Sequence, residues 1–256
     1  MIGQWAWLMN MILVGFCSAT TVFVSQYWGI KDIKKIRRVS GVSIIFALIV
    51  SVLFTVISLV FTRGVVRIFN SDPSVISAGS EYLKCVCFSF IAVALTNILA
   101  TILRSVENVK LPMYVSAFTT VLNIFLDYSM IFGKFGFPAL GIAGAAIGSS
   151  LAELVSLLFF ILYTRSRIDC KKYGLDRIPK FCMEVLKRML NVSFWTMIQN
   201  FFSLSTWFLF FLYVEHLGER SLAVTNIVRN VSGILFMVLM AFASTCGSCL
   251  LYTSPS

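Results

Sequence analysis

The segment Asn123-Ile-Phe-Leu-Asp127-Tyr-Ser-Met-Ile-Phe-Gly133 sets a carboxamide and a carboxylate four residues apart inside an apolar run. On a helix both side chains project from one face, about 6 Å apart along the axis. An ionised side chain within a bilayer costs roughly 2.5 to 3.5 kcal/mol on insertion scales, so Asp127 needs a partner or a task. Carboxylate and amide oxygens are the hard ligands an alkali cation accepts, with further donors supplied by other helices or water. Asn123 and Asp127 are therefore candidate ligands for Na+. A proton on the carboxylate is the simpler alternative. The plainer reading has Asp127, near the helix end, hydrogen-bonding a neighbouring backbone or basic group.

Other polar residues at membrane depth are few. Glu153 stands near the middle of the run Gly141 to Tyr163, where it either joins an ion route or locks two helices by a hydrogen bond; the sequence slightly favours the lock. Gln26 precedes Trp28-Gly29, as a helix cap or loop contact, and Arg229 lies about two turns into the last apolar run, to snorkel or to face a polar cavity. Gly141, Gly144, Ala145 and Gly148 form a small-residue helix face suited to close packing. No Lys-Ser or Lys-Thr follows these glycines, which excludes a phosphate loop. The single histidine, His216, has no acid and nucleophile beside it at membrane depth, so an enzyme has little to build on. Cys246-Gly-Ser-Cys249 has C-x-x-C spacing but no second pair, and the seven cysteines read as small apolar residues, not a disulfide framework. No cofactor is implied beyond the ion.

These side chains must be positioned by membrane helices. Of 256 residues 59% are hydrophobic and 12% charged, with a mean hydropathy of +0.90, more apolar surface than a water-soluble core can bury. Seven runs are long enough to cross about 30 Å of hydrocarbon and too continuous for barrel strands. They are Gln4 to Tyr27, Val39 to Phe61, Tyr82 to Leu103, Pro112 to Phe132, Gly141 to Tyr163, Met189 to Val214 and Ser221 to Ser248. The fold class is all-α, a polytopic transmembrane bundle. The formal charge of +10 follows the positive-inside rule, which removes the case for nucleic acid. Fifteen of the 21 basic residues fall in alternate connections: 29–38, 104–111 and 164–188. Those loops are expected on the cytoplasmic side of the inner membrane. Met1 opens without a basic leader or cleavage site, so no signal peptide is expected.

The longest polar stretch, Thr164 to Arg188, reads as a lobe boundary, with a short interfacial helix around Phe181 to Met189. Leu13-Val-Gly-Phe-Cys-Ser18 can be laid over Leu239-Met-Ala-Phe-Ala-Ser244, a faint echo that suits the duplicated halves of a transporter. The expected division is 1–165 for a first lobe lacking its first helix, 166–188 for the linker, and 189–248 for the opening of a second lobe.

With these residues in view, the chain resembles the multidrug and toxic compound extrusion (MATE) transporters. The resemblance rests on Asn123 to Gly148, Leu103-Arg104, Pro112-Met113 and Ser25-Gln26-Tyr27-Trp28-Gly29-Ile30-Lys31-Asp32, in the family's order. It implies helices two to eight of twelve, two six-helix lobes around a central cavity, and exchange of H+ or Na+ for amphipathic organic cations. It also implies an ion site holding Asn123 and Asp127, with Ser149 at the family's hydroxyl position. The Asp that the family carries on its first helix has no counterpart here. Glu107 stands where the family usually has Gly. The last residues, 249–256, read as a non-native tail, so a gene fragment is expected.

The reading is thus a cation-coupled exporter, monomeric in the lipid bilayer, taking small amphipathic cations as partners. The alternatives are a lipid-linked saccharide flippase of the same superfamily, which needs basic residues in its cavity, and a truncated piece without transport of its own.

Overall fold

Hydrocarbon offers no partner to a backbone N–H or C=O, so long apolar runs must satisfy themselves as helices. In the computed structural model, which describes residues 3–69, 73–136, 141–167, 182–216 and 219–253, the regular elements are all helical. They are α1 (Gly3–Gly29), α2 (Ile33–Val60), α3 (Thr62–Phe69), α4 (Pro73–Val86), α5 (Ser89–Ser105), α6 (Lys110–Phe132), α7 (Gly141–Arg167), α8 (Met183–His216) and α9 (Glu219–Thr253). Among the described residues five segments are long and apolar enough to cross a membrane: Leu8–Gly29, Ile33–Val60, Lys110–Phe132, Ala143–Ser166 and Val224–Gly247. The chain is an all-α, multi-pass bundle. Most of the predicted linker, Cys170 and the end of the tail lie outside the described residues; α9 itself runs on to Thr253.

One core unites α1 to α7. Leu13 and Phe16 of α1, Val39 and Val42 of α2, Phe90 and Ile98 of α5, Leu111 of α6 and Phe160 of α7 are all buried in it. Phe16 stacks on Phe46 at 3.9 Å between ring centroids. Gly15 brings α8 close, since a Cβ there would lie 2.6 Å from Met197 Cγ. By contrast, α9 presents Val231, Leu235, Phe236, Met237 and Leu239 as exposed side chains.

One prediction on the elements needs correction. The expected continuous span Tyr82 to Leu103 is divided, because α4 stops at Val86 and α5 starts at Ser89. Hydroxyls make the break tolerable. Thr55 of α2 donates to the Cys87 carbonyl at 3.0 Å, Ser89 to the Val86 carbonyl at 2.7 Å, and Ser150 of α7 to the Cys85 carbonyl at 3.2 Å. The connection after α2 holds the short helix α3, with Val65 and Val66 buried and Arg63 and Gly64 exposed.

Ser25 donates to the Ser105 carbonyl at 3.5 Å, which brings the α1–α2 and α5–α6 turns to one end of the bundle. Both turns reverse the chain through a left-handed residue that is not glycine. Lys31 has φ 57°, and Glu107 has φ 65°. Around Glu107 the Asn108 N–H reaches back to the Leu103 carbonyl at 2.9 Å and the Glu107 N–H to the Arg104 carbonyl at 3.2 Å. That is the Schellman pattern, in which the left-handed position favours glycine because a Cβ crowds the following carbonyl. Glu107 therefore carries strain that a glycine there would relieve. At the start of α2 the Asp32 carboxylate accepts the Lys35 N–H at 3.1 Å and lies 3.3 Å from Lys35 Nζ. The Lys35 N–H holds this carboxyl below the usual carboxylate range, with the Lys35 side chain adding to it.

Replacing Glu107 by Gly is expected to stabilise the chain by up to about 1 kcal/mol, read as a raised Tm in detergent. Asp32→Ala is expected to lower Tm at neutral pH through loss of the cap. Because the folded carboxyl titrates below its unfolded value, this stabilisation is present above about pH 4 and is lost as pH falls through the folded pKa. The Tm difference between the two proteins should therefore close on acidification, which a melting series across pH will show.

Candidate functional site

Helices α6 and α7 pack closest where α7 carries glycine. A Cβ on Gly148 would lie 2.7 Å from Asp127 Oδ1, 3.2 Å from the Leu126 carbonyl carbon and 3.3 Å from the Asp127 nitrogen. Only a residue without a side chain lets the two backbones approach so far. The approach delivers Ser149 to the acid. Its Oγ lies 3.3 Å from Asp127 Oδ1 and 3.4 Å from Oδ2, so the hydroxyl donates to both oxygens at more than the usual O–H···O distance. Neither carboxylate oxygen is taken up by a short bond. Asp127 is half-buried and faces α7.

A second bond fixes the register. Thr119 Oγ1 donates to the Val115 carbonyl one turn back at 2.8 Å and shares a hydrogen bond with Ser156 Oγ at 2.6 Å. With Asp127 opposite Ser149 and Thr119 opposite Ser156, α6 and α7 run antiparallel. Asn123 of α6 and Glu153 of α7 then stand at the same level between these pairs. Asn123 is half-buried, four residues from Asp127, and its amide makes no hydrogen bond among the described residues. Along α6, Ser116, Thr119, Thr120, Asn123 and Asp127 follow three- and four-residue steps and make one polar stripe. The hydroxyl members of this stripe are a signal the sequence carries and the sequence reading passed over.

Next to the stripe lies a cavity of about 790 Å³ between α5, α6 and α7, with Thr96, Asn97, Ser116, Thr120 and Glu153 among its walls. The expected lock through Glu153 is not formed, because its carboxylate has no hydrogen-bond or ion-pair partner among the described residues. Gln26 is half-buried near the end of α1 and accepts the Ile30 N–H through its backbone carbonyl at 3.3 Å. Arg229 is exposed on α9, which packs on α1 and α8, so the fold does not bring it to Asp127. Among the described residues no group of three His, Cys, Asp or Glu side chains is placed to hold a metal. The oxygens near Asp127 suit a proton or an alkali ion, and Cys246 and Cys249 are both exposed.

Gly148→Ala is expected to force α6 and α7 apart and to cost about 1 to 3 kcal/mol, as overpacking does. Gly15→Ala should cost less, since there the added methyl meets only the flexible Met197 side chain. Melting of the two variants in the same detergent compares them directly.

Known proteins resemble this chain in sequence, and solved structures share its arrangement of helices. The MatE family model matches residues 3–129. A probable multidrug resistance protein NorM of Thermotoga maritima is 31% identical over 235 residues, covering 90% of this chain and 49% of that protein. A probable multidrug resistance protein YoeA of Bacillus subtilis is 25% identical, over 88% of this chain and 49% of its own. Among solved structures, a MATE in complex with MaD5 superposes with a TM-score of 0.84 at 19% identity, over 98% of this chain and 57% of that one. An outward-facing multidrug resistance MATE family transporter of the MOP superfamily gives 0.78 at 19%, over 98% and 55%. The chain spans about half the length of the curated relatives it matches. A helical bundle with a family match across α1 to α6 and an extended NorM likeness makes this chain a member of the MATE family.

Proposed function

We propose that the complete protein exports amphipathic organic cations across the cytoplasmic membrane in exchange for H+ or Na+, by alternating access of two lobes. The observation that carries this reading is the Asp127 carboxylate, held between α6 and α7 by the Ser149 hydroxyl with the Asn123 amide one turn away. An acid placed there, with both oxygens only loosely engaged, is able to take up and release a cation. Asp127 holds the driving ion, Asn123 shares its shell, and Ser149 completes it. The NorM and YoeA relatives, named as probable multidrug resistance proteins, support export of drug-like compounds.

In this reading 1–165 is the first lobe, 166–188 the cytoplasmic linker, and 189–248 opens the second lobe. The protein works as a monomer, and loops 29–38, 104–111 and 164–188 face the cytoplasm. A flippase for lipid-linked saccharides fits less well. Its cargo needs clustered positive charge, and the walls of the first-bundle cavity hold one base, Arg104, and one acid, Glu153.

In the full-length protein, Asp127→Asn is expected to abolish export of a cationic dye against its gradient, while Asp127→Glu retains part of it. Dye efflux from loaded cells or proteoliposomes measures this. Export at the normal rate by Asp127→Asn would overturn the assignment.

A further inference from the structure

Helix α8 carries a polar group that its own packing leaves unsatisfied. Ser193 is fully buried, yet its hydroxyl has no hydrogen-bond partner among the described residues. Other hydroxyls of the helix are engaged, since Thr196 donates to the Val192 carbonyl at 3.1 Å and Thr206 to the Phe202 carbonyl at 2.9 Å. A buried hydroxyl left alone costs free energy, so Ser193 calls for a partner from outside the chain.

Ser193 opens on a groove of about 430 Å³ along α8, lined also by Lys187, Leu190, Asn191, Phe194 and Met197. Steps of three and four residues put these five side chains on one helix face. The groove borders α1, where Met197 occupies the space that Gly15 leaves open. Its chemistry changes with depth. Asn191 lies about 6 Å beyond Lys187 along the axis, Ser193 about 9 Å and Met197 about 15 Å.

The 34 residues of α8 extend about 51 Å, well over the roughly 30 Å of a hydrocarbon layer, so its first turns stand at headgroup level. Lys187 and Arg188 are exposed there, opposed only by Glu184 one turn earlier, and neither is ion-paired among the described residues. Below them the Asn191 amide and the Ser193 hydroxyl are donors without acceptors among the described residues. Deeper still, Phe194 and Met197 offer apolar surface. Cation, donors and apolar wall repeat the order of phosphate, ester oxygens and acyl chain in a phospholipid. The phosphate and ester oxygens only accept hydrogen bonds, which is what these donors lack.

We infer that this groove is a binding site for one acidic phospholipid. Lys187 holds the phosphate, Asn191 and Ser193 donate to the phosphate and ester oxygens, and an acyl chain lies along Leu190, Phe194 and Met197. The net positive charge of the rim sets the preference. A zwitterionic headgroup brings a cation of its own, which Lys187 and Arg188 repel, whereas an acidic headgroup brings none.

The test is native mass spectrometry of the complete protein in detergent, titrated with palmitoyl-oleoyl phosphatidylglycerol or with phosphatidylcholine of the same chains. The first phosphatidylglycerol is expected to bind severalfold tighter than the first phosphatidylcholine. Lys187→Gln, a change at an exposed position, should weaken phosphatidylglycerol by about fivefold and leave phosphatidylcholine unchanged. Ser193→Ala should also weaken phosphatidylglycerol severalfold. Its Tm in lipid-free detergent should nevertheless stay level or rise, because the substitution removes a hydroxyl that the empty groove leaves unsatisfied. A hydroxyl that served only the fold would lower Tm and spare the lipid. Equal affinity for the two lipids overturns the inference, and is the result expected if another segment of the chain or a second copy covers this face. Full phosphatidylglycerol affinity in either variant, or equal weakening of both lipids by Lys187→Gln, overturns it as well.

Discussion

The close approach of α7 to α6 at Gly148 is the constraint from which the rest of the site follows. Where any other residue would place a Cβ, the structure has Asp127 Oδ1 at 2.7 Å. That proximity delivers Ser149 to the acid, fixes the antiparallel register, and sets Asn123 level with Glu153.

Packing elsewhere in the bundle shows how such an interior stays specific without strong forces. Lipid is as apolar as leucine, so burial alone does not tell one helix pairing from another. Hydroxyls and short polar links make the distinction. Trp5 Nε1 donates to Ser58 Oγ at 2.9 Å, Thr20 and Ser43 share a bond at 3.0 Å, and Thr55 reaches the Cys87 carbonyl. Bonds of this kind average about 0.6 kcal/mol in membrane proteins, so their value lies in selecting register rather than in total stability. The same chemistry permits the break between α4 and α5 and, at Asp127, is turned toward a charged group.

Much of the architecture was legible in the chain. Apolar runs of twenty residues satisfy their backbone in a membrane as helices, and the runs on α1, α2, α6, α7 and α9 were located, though α2 starts earlier, at Ile33, and α9 runs on to Thr253. The division of Tyr82 to Leu103 was not legible, because its cause lies on other helices, in Thr55 and Ser150. Nor was α3, whose short amphipathic pattern resembles that of a loop. Ser149 was reached through family likeness, and the distance to Asp127 agrees with that register. The left-handed backbone at Glu107 was not legible, since it is set by the turn that joins α5 to α6.

The sequence by itself determined that Asn123 and Asp127 share a helix face, since four residues make about one turn whatever surrounds them. It also determined that Glu153 lies at membrane depth, since depth follows from position along an apolar run. Only the tertiary structure decided that Asp127 meets a hydroxyl while Glu153 meets a cavity. Both acids sit on helices of the same pair, but which side chain finds a partner depends on the angle and distance at which backbones cross, and these are set by contacts far apart in the chain.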